Sequence, residues 1–277
     1  MYNSAPKRIH VVVGSPWKDA VISHLEPRSP YRPWPELPDS RRGDGVVVIF
    51  DCEPRLALLQ VGRVRSDGKA GAAIADMWLS HRAIPASLVG LHGFDGRYVV
   101  LEGPAATQLI DALEDYTLDI DPMDRFGRSS MAAARVLLDS NGMCDGCGTA
   151  LKLRRQDARD KVGVWTVESL SFRPEPVEQQ TDTDDWFEEP RLSRVPVDWP
   201  AALCPNCQRT MDKKGFRTFL DYKFSGHPVC PQCGGQQTQR ALFGMMPFDA
   251  VVAPWQDARG CCATDDIWTC TLCMYRW

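Results

Sequence analysis

The sequence predicts an α+β chain: a small N-terminal β-barrel, then two compact units each stapled by four cysteines. Three observations carry this. Short apolar runs bounded by turn residues fill the N-terminal part, helical signals follow, and four Cys-x-x-Cys pairs all lie beyond residue 140. The expected division is residues 1–117, 128–222 and 223–277, with an acidic insertion at 173–198.

Strands come first. Ile9 to Val13 is an apolar run ending at Gly14, and Gly45 to Phe50 is a second, opened by the turn residues Gly43 and Asp44. Leu56 to Val64 continues after Glu53-Pro54, and Tyr98 to Leu101 follows Asp95-Gly96, a pair that favours a hairpin. A long Pro-rich excursion, Glu26 to Pro38, separates the first two strands and holds Tyr31 and Trp34. This pattern suggests a small five-stranded barrel with one decorated loop.

Helices follow. After Gly103-Pro104, the residues Leu109, Ile110, Leu113 and Tyr116 recur on one helical face. Ser129 or Ser130 can cap a second helix through Met131 to Leu138, which Asn141-Gly142 stops. Beyond it, Arg173 to Asp198 is Pro-rich, with seven acids between Glu175 and Glu189, and reads as an insertion or flexible loop.

The cysteine pairs are Cys144/Cys147, Cys204/Cys207, Cys230/Cys233 and Cys270/Cys273. A tetrahedral Zn²⁺ takes four soft donors at about 2.3 Å, and two intervening residues let one tight turn aim both sulfurs at a single point. Neighbouring pairs are expected to share an ion, the first two across 56 intervening residues and the last two across 36, giving two structural zinc sites. Cys-x-x-Cys also serves thiol–disulfide exchange and secreted disulfide scaffolds. An odd count of eleven cysteines and the lack of an apolar signal core in Met1 to His10 point instead to a cytoplasmic zinc protein. Cys261-Cys262 reads as buried free thiol rather than ligand, because adjacent residues do not easily aim both sulfurs at one ion. His227, beside four thiolates, reads as a turn or surface residue.

No run approaches the roughly 20 apolar residues of a membrane span. The formal charge is −4, and two four-thiolate zinc sites would bring it to about −8. That excludes a uniformly basic coat but leaves room for a local patch. Cys204 to Arg240 holds such a patch: six basic residues, among them Arg209, Lys213, Lys214 and Arg217, against the two acids Asp212 and Asp221. A phosphate backbone would meet this face through counterion release.

The stretch from Ser130 through Cys144 and Cys147, with Leu203-Cys204 and Cys207 later, resembles the zinc-stapled branch of the HNH nuclease family, a treble-clef ββα unit. That resemblance covers about Arg128 to Phe219 and implies a second, catalytic metal. The catalytic positions differ. Trp165 stands where the family has its general-base His, Asp198-Trp199 where it has an orienting Asn, and Gln208 where it has the last metal-binding His. An indole does not accept a proton near neutral pH. The resemblance therefore implies a nuclease-like unit kept for binding. The alternative is an active modification-dependent endonuclease whose Mg²⁺ or Mn²⁺ is held by Gln208, Asp198 or Glu168.

The last two pairs, with Trp268 and Trp277 expected to pack over the metal, look like a zinc ribbon that binds nucleic acid or a protein partner. Residues 8 to 117, through Ile9 to Trp17, Trp34, Gly43 to Phe50 and Val61 to Val64, look like a PUA/EVE-type barrel. Members of that superfamily read modified bases in an aromatic cage and occur fused to HNH nucleases. The cage would be Trp17, Tyr31 and Trp34, with Asp51 as an edge contact. Together these resemblances imply a DNA-binding protein of prokaryotic restriction or antiviral defence; a zinc-ribbon assembly subunit is the alternative from another class.

Overall fold

The structure is a computed structural model that describes residues 8–37, 40–41, 43–65, 73–78, 83–91, 96–116, 122–174, 192–245, 252–261 and 263–277. In the N-terminal part, β1 (Arg8–Gly14) leads into α1 (Trp17–Leu25), then β2 (Gly45–Phe50), β3 (Leu56–Arg65), β4 (Ala73–Trp78), β5 (Ala83–Pro85), β6 (Tyr98–Glu102) and α2 (Pro104–Tyr116). The strands form one sheet in the order β4-β3-β2-β1-β6, with β5 beside β3.

Sequence and sheet agree on β1, β2, β3, β6 and α2, but differ in connection. β1 and β2 are parallel, Val11 opposite Val47. Parallel neighbours need a crossover, which α1 and the Pro-rich excursion supply. Tyr98–Glu102 pairs with β1, and among the described residues no pairing joins it to β5, the strand before it; Asp95 of the expected turn lies outside the described residues. Among the described residues no pairing joins β4 to β6, and the sheet stays open where a barrel was expected.

Side chains alternate across the sheet. Ile9, Val11, Val13, Val47 and Ile49 pack under α2 against Leu109, Ile110 and Leu113. Val12, Val46, Val48 and Phe50 face the other way, onto Ala20, Val21 and Ile22 of α1. Every residue of β2 is therefore buried. Each aliphatic side chain so covered contributes roughly 1.5–3 kcal/mol.

A polar cluster sits inside this apolar sheet. His10 is fully buried. The Asp44 carboxylate lies 2.8 Å from its Nε2 and the Tyr98 hydroxyl 2.8 Å from its Nδ1. A carboxylate only accepts, so Nε2 donates to Asp44, while Nδ1 and the Tyr98 hydroxyl share the second hydrogen bond.

The second part begins with α3 (Ser130–Asp139), whose N-cap is Ser129, one of the two serines the sequence offered, accepting from the Ala132 amide. Then come α4 (Ala158–Lys161), β7 (Gly163–Trp165), β8 (Phe172–Pro174), β9 (Leu192–Pro196), β10 (Ala201–Leu203), α5 (Pro205–Lys214) and α6 (Phe219–Ser225). β10 pairs with β7, and β8 with β9. The acidic segment 175–191 lies outside the described residues, and the β8–β9 ladder joins its two ends. The chain closes with β11 (Thr238–Leu242), β12 (Gln256–Ala258) and β13 (Trp268–Cys270) in the order β12-β11-β13.

One buried cluster runs from the sheet through α1 and α3 into this second part, reaching Leu203, Cys207, Phe219 and Trp255. Polar contacts lock the same seam. Lys18 donates to the Val162 carbonyl at 2.7 Å, Arg159 pairs with Asp19 at 3.0 Å, and Arg154 with Glu26 at 2.8 Å.

Candidate metal centres

Cys144, Cys147, Cys204 and Cys207 place their four sulfurs within 4.8 Å of one another, and so do Cys230, Cys233, Cys270 and Cys273. In the first group Cys144 and Cys207 are 3.7 Å apart and Cys147 and Cys204 3.8 Å. In the second, Cys230 and Cys273 are 3.6 Å apart and Cys233 and Cys270 3.5 Å. Four sulfurs at about 2.3 Å from one tetrahedral ion would be about 3.8 Å from each other. A disulfide would bring them to about 2.05 Å. The spacing is a zinc spacing, and the two groups fit two structural zinc sites.

Three of the four pairs are built by one backbone device. The amide of the first cysteine bonds the carbonyl five residues on, and its own carbonyl receives the amide four residues on: Cys144 with Thr149 and Gly148, Cys230 with Gly235 and Gly234, Cys270 with Tyr275 and Met274. The fourth residue along must turn left-handed. Gly148 (φ 71°) and Gly234 (φ 73°) do so without a Cβ, while Met274 (φ 58°) does so as a non-glycine. The Cys204/Cys207 pair differs, since Cys204 is the N-cap of α5 and Pro205 fills its first turn. There the positive end of the helix faces the thiolates.

Supporting groups complete the first site. The Cys204 amide donates to the Cys144 sulfur at 3.2 Å, and the Thr149 hydroxyl lies 3.1 Å from the Cys147 sulfur. Burial opposes ionisation of Cys147, but hydrogen bonds from Thr149 and the neighbouring thiols bring it down to about 6. Lys223 Nζ reaches the carbonyls of Asp145 and Gly146 in the turn between Cys144 and Cys147.

Comparison with family models, curated proteins and solved structures finds no match. Geometry alone therefore assigns the site residues.

Of the positions that the resemblance singles out, Trp165, Asp198 and the amide nitrogen of Gln208 make internal hydrogen bonds, and Glu168 makes an exposed ion pair. Trp165 Nε1 donates to Asp198 Oδ2 at 2.8 Å, and Asp198 Oδ1 accepts the amides of Trp199 and Phe219, both at 2.8 Å. Gln208 Nε2 donates to the Lys161 and Leu203 carbonyls, and its amide lies so close over Gly163 that a Cβ there would come within 2.4 Å of it. Glu168 pairs with Arg128.

Trp17, Tyr31 and Trp34 are half-buried and pack against one core cluster. Trp34 meets Phe50 at 5.9 Å and lies over Gly14, where a Cβ would come within 2.3 Å of the ring. The Tyr31 hydroxyl donates to the Gln156 carbonyl and accepts the Arg159 amide, so it joins the two parts of the chain. Asp51 pairs with Arg55 at 3.1 Å.

On α5, Arg209, Lys213 and Lys214 are exposed, as is Arg217 just beyond it. Lys213, Lys214 and Arg217 make no ion pair among the described residues. Near the second site, His227 is half-buried rather than on the surface, with Nδ1 2.6 Å from the Thr238 carbonyl and its ring 5.0 Å from Trp268. Trp277 stacks on Tyr275.

Cys261 is exposed where a buried thiol was expected, while Cys262 lies outside the described residues. The buried thiol is Cys52, which burial pushes up to about 11. Brief alkylation of the zinc-loaded protein is expected to label Cys261 and spare Cys52 until the chain unfolds. Peptide mass spectrometry checks this, and early labelling of Cys52 would contradict its burial.

No helix among the described residues is long and apolar enough to cross a membrane.

Proposed function

We propose that this chain is a two-zinc nucleic-acid-binding protein whose first metal unit presents α5 to a phosphate backbone. One observation carries the reading: Arg209, Lys213, Lys214 and Arg217 lie exposed on and just after the helix whose first turn supplies two zinc ligands. A solvated helix face ordinarily balances its charges, and here the three cations at its C-terminal end are left without acidic partners among the described residues. Cations also suit a helix C-terminus, so the face costs little to maintain.

The treble-clef and ribbon readings of the two units are supported by a turn-plus-helix metal site followed by a turn-plus-turn one. The internal bonds of Trp165, Asp198 and Gln208 favour a binding unit over a hydrolytic one. DNA as the partner and a restriction or defence setting are proposed from the order of a PUA/EVE-like sheet before an HNH-like unit. In that resemblance Trp17, Tyr31, Trp34 and Asp51 are the reader side chains. A protein partner has its own support: Ile267, Leu272, Met274 and Tyr275 of the second metal unit are exposed.

Duplex DNA binding, followed by fluorescence anisotropy between 50 and 200 mM salt, should weaken linearly on a log–log plot, with a slope of about −0.9 for each phosphate neutralised. Replacing Lys213, Lys214 and Arg217 by Ala should flatten the slope by roughly 1 for each phosphate that is no longer neutralised. Binding with the same slope in this variant would remove α5 from the interface. Absence of binding at low salt would remove nucleic acid as the partner.

A further inference from the structure

The first metal site divides into two halves. Cys144 and Cys207 are 1% and 3% exposed and belong to the buried cluster shared with the N-terminal sheet. Cys147 is exposed and Cys204 half-buried, and their sulfurs stand 3.8 Å apart. A reagent in water therefore meets Cys147 first, and Cys204 is the neighbour that can move toward it without leaving the core.

Local bonds sharpen the division. The Cys144 sulfur accepts the Cys204 amide at 3.2 Å, and backbone bonds to Thr149 and Gly148 fix its turn. Cys207 is packed against Gly146, where a Cβ would come within 2.8 Å of its sulfur. A disulfide would shorten the Cys147–Cys204 separation from 3.8 Å to about 2.05 Å. Cys204 enters these bonds through its amide, which leaves its side chain to turn. It is also the N-cap of α5, the helix that holds Arg209, Lys213 and Lys214.

We infer that the first metal site is a reversible thiol switch, in which a hydroperoxide closes Cys147 onto Cys204, empties the site and frees α5 from its anchor. The Cys147 thiolate attacks a peroxide oxygen, the O–O bond breaks, and a sulfenic acid forms as the departing hydroxide is protonated to water. The Cys204 thiolate then attacks that sulfur, the S–S bond forms, and a second hydroxide leaves and is protonated. Each thiolate has lost one electron, and one peroxide has become two waters. Cys144 and Cys207 alone no longer hold Zn²⁺, and each takes up a proton inside the core. A dithiol reductant with Zn²⁺ reverses the sequence.

The test treats the full zinc-loaded chain with hydrogen peroxide, alkylates the remaining thiols and maps the links by peptide mass spectrometry, while a colorimetric chelator reads released zinc. Exposed Cys261 is the internal reference for peroxide reaching a free thiol. A Cys147–Cys204 link should appear together with zinc release and vanish on treatment with a dithiol and Zn²⁺. Cys147→His, which keeps a zinc-competent set of three Cys and one His, should hold two zinc ions and protect Cys204 from alkylation at a peroxide concentration that opens the parent site. Once linked, the parent should bind duplex DNA at least about tenfold more weakly, because the cations of an unanchored helix must be ordered on binding. That last effect rests on the nucleic-acid reading above. A principal link from Cys144 to Cys147 or to Cys207, or a first site that stays closed while Cys261 is oxidised, would overturn the switch whether or not DNA is bound. A reversible Cys147–Cys204 link in a chain that binds no duplex would confirm the switch and overturn the preceding reading instead. A linked chain of full duplex affinity would overturn the coupling to α5.

Discussion

Cys207→Ser is expected to lose the N-terminal sheet together with the first zinc site. A structural Zn²⁺ contributes about 10–16 kcal/mol to the folding of the unit that binds it, comparable with the whole 5–15 kcal/mol stability of an ordinary domain. Serine offers a poor, protonated donor in place of a thiolate, so most of that term goes. Cys144 and Cys207 also belong to the same buried cluster as Val12, Val48 and Phe50 of the sheet, by way of α3 and α1. Collapse of the metal site therefore uncovers one face of the sheet. Cys273→Ser should behave differently, because none of the second group's cysteines joins that cluster and, among the described residues of the surrounding segment, only Trp255 and Ala253 belong to it or pack on it. Thermal unfolding by near-ultraviolet circular dichroism, with metal analysis, distinguishes the two. Cys207→Ser should have no cooperative transition near the parent's, and Cys273→Ser should keep one with a single zinc per chain. A Cys207→Ser chain that retains the sheet's transition would show that the two parts fold independently, and the shared core would then carry little energy.

The sheet and the metal sites were legible for different reasons. β1 and β2 show themselves as apolar runs because strands covered on both faces cannot alternate. The cysteine pairs do so because Zn²⁺ fixes both the donor and its spacing. α1 was not legible. Ala20, Val21 and Ile22 are buried consecutively, which breaks the helical period, and its N-cap is Pro16, which makes no side-chain cap bond. Without that helix the parallel crossover is invisible in the sequence, and with it the open sheet. The exposure of Cys261 was not legible either, because it depends on the path of a loop, which carries no local pattern. His10 had a signal, a lone polar residue inside an apolar strand; its partners Asp44 and Tyr98 are distant in sequence and adjacent only across the sheet. The cavity bordered by Arg125, Val136, Asp145, Trp199 and Trp255 left no trace, because five separate stretches of chain build it.

Asp198 offers the sharpest separation between a structural and a metal-binding carboxylate. It accepts from Trp165 Nε1 and from the amides of Trp199 and Phe219, and so ties β7 to the segment before β10 and to the start of α6. Asp198→Ala leaves three donors without a partner at roughly 1–3 kcal/mol each, and a total loss of about 3–5 kcal/mol is expected. A carboxylate held for a catalytic Mg²⁺ would act in the opposite sense, since removing an unpaired buried charge relieves the fold. Asp198→Asn refines the test through pH. Burial raises the Asp198 carboxyl above the ordinary carboxylate value, against the hydrogen bonds it accepts from Trp165 and from backbone amides. The native state then binds this proton more tightly than the unfolded state does. Its contribution to stability falls as pH rises from the ordinary carboxylate range through the raised value, and is constant above it. Asparagine does not titrate, so the stability gap between parent and Asp198→Asn should narrow across that same window, as read from urea unfolding at stepped pH. A gap that widens with pH would mean that the three hydrogen bonds outweigh burial and that the ionised carboxylate is the state the fold selects.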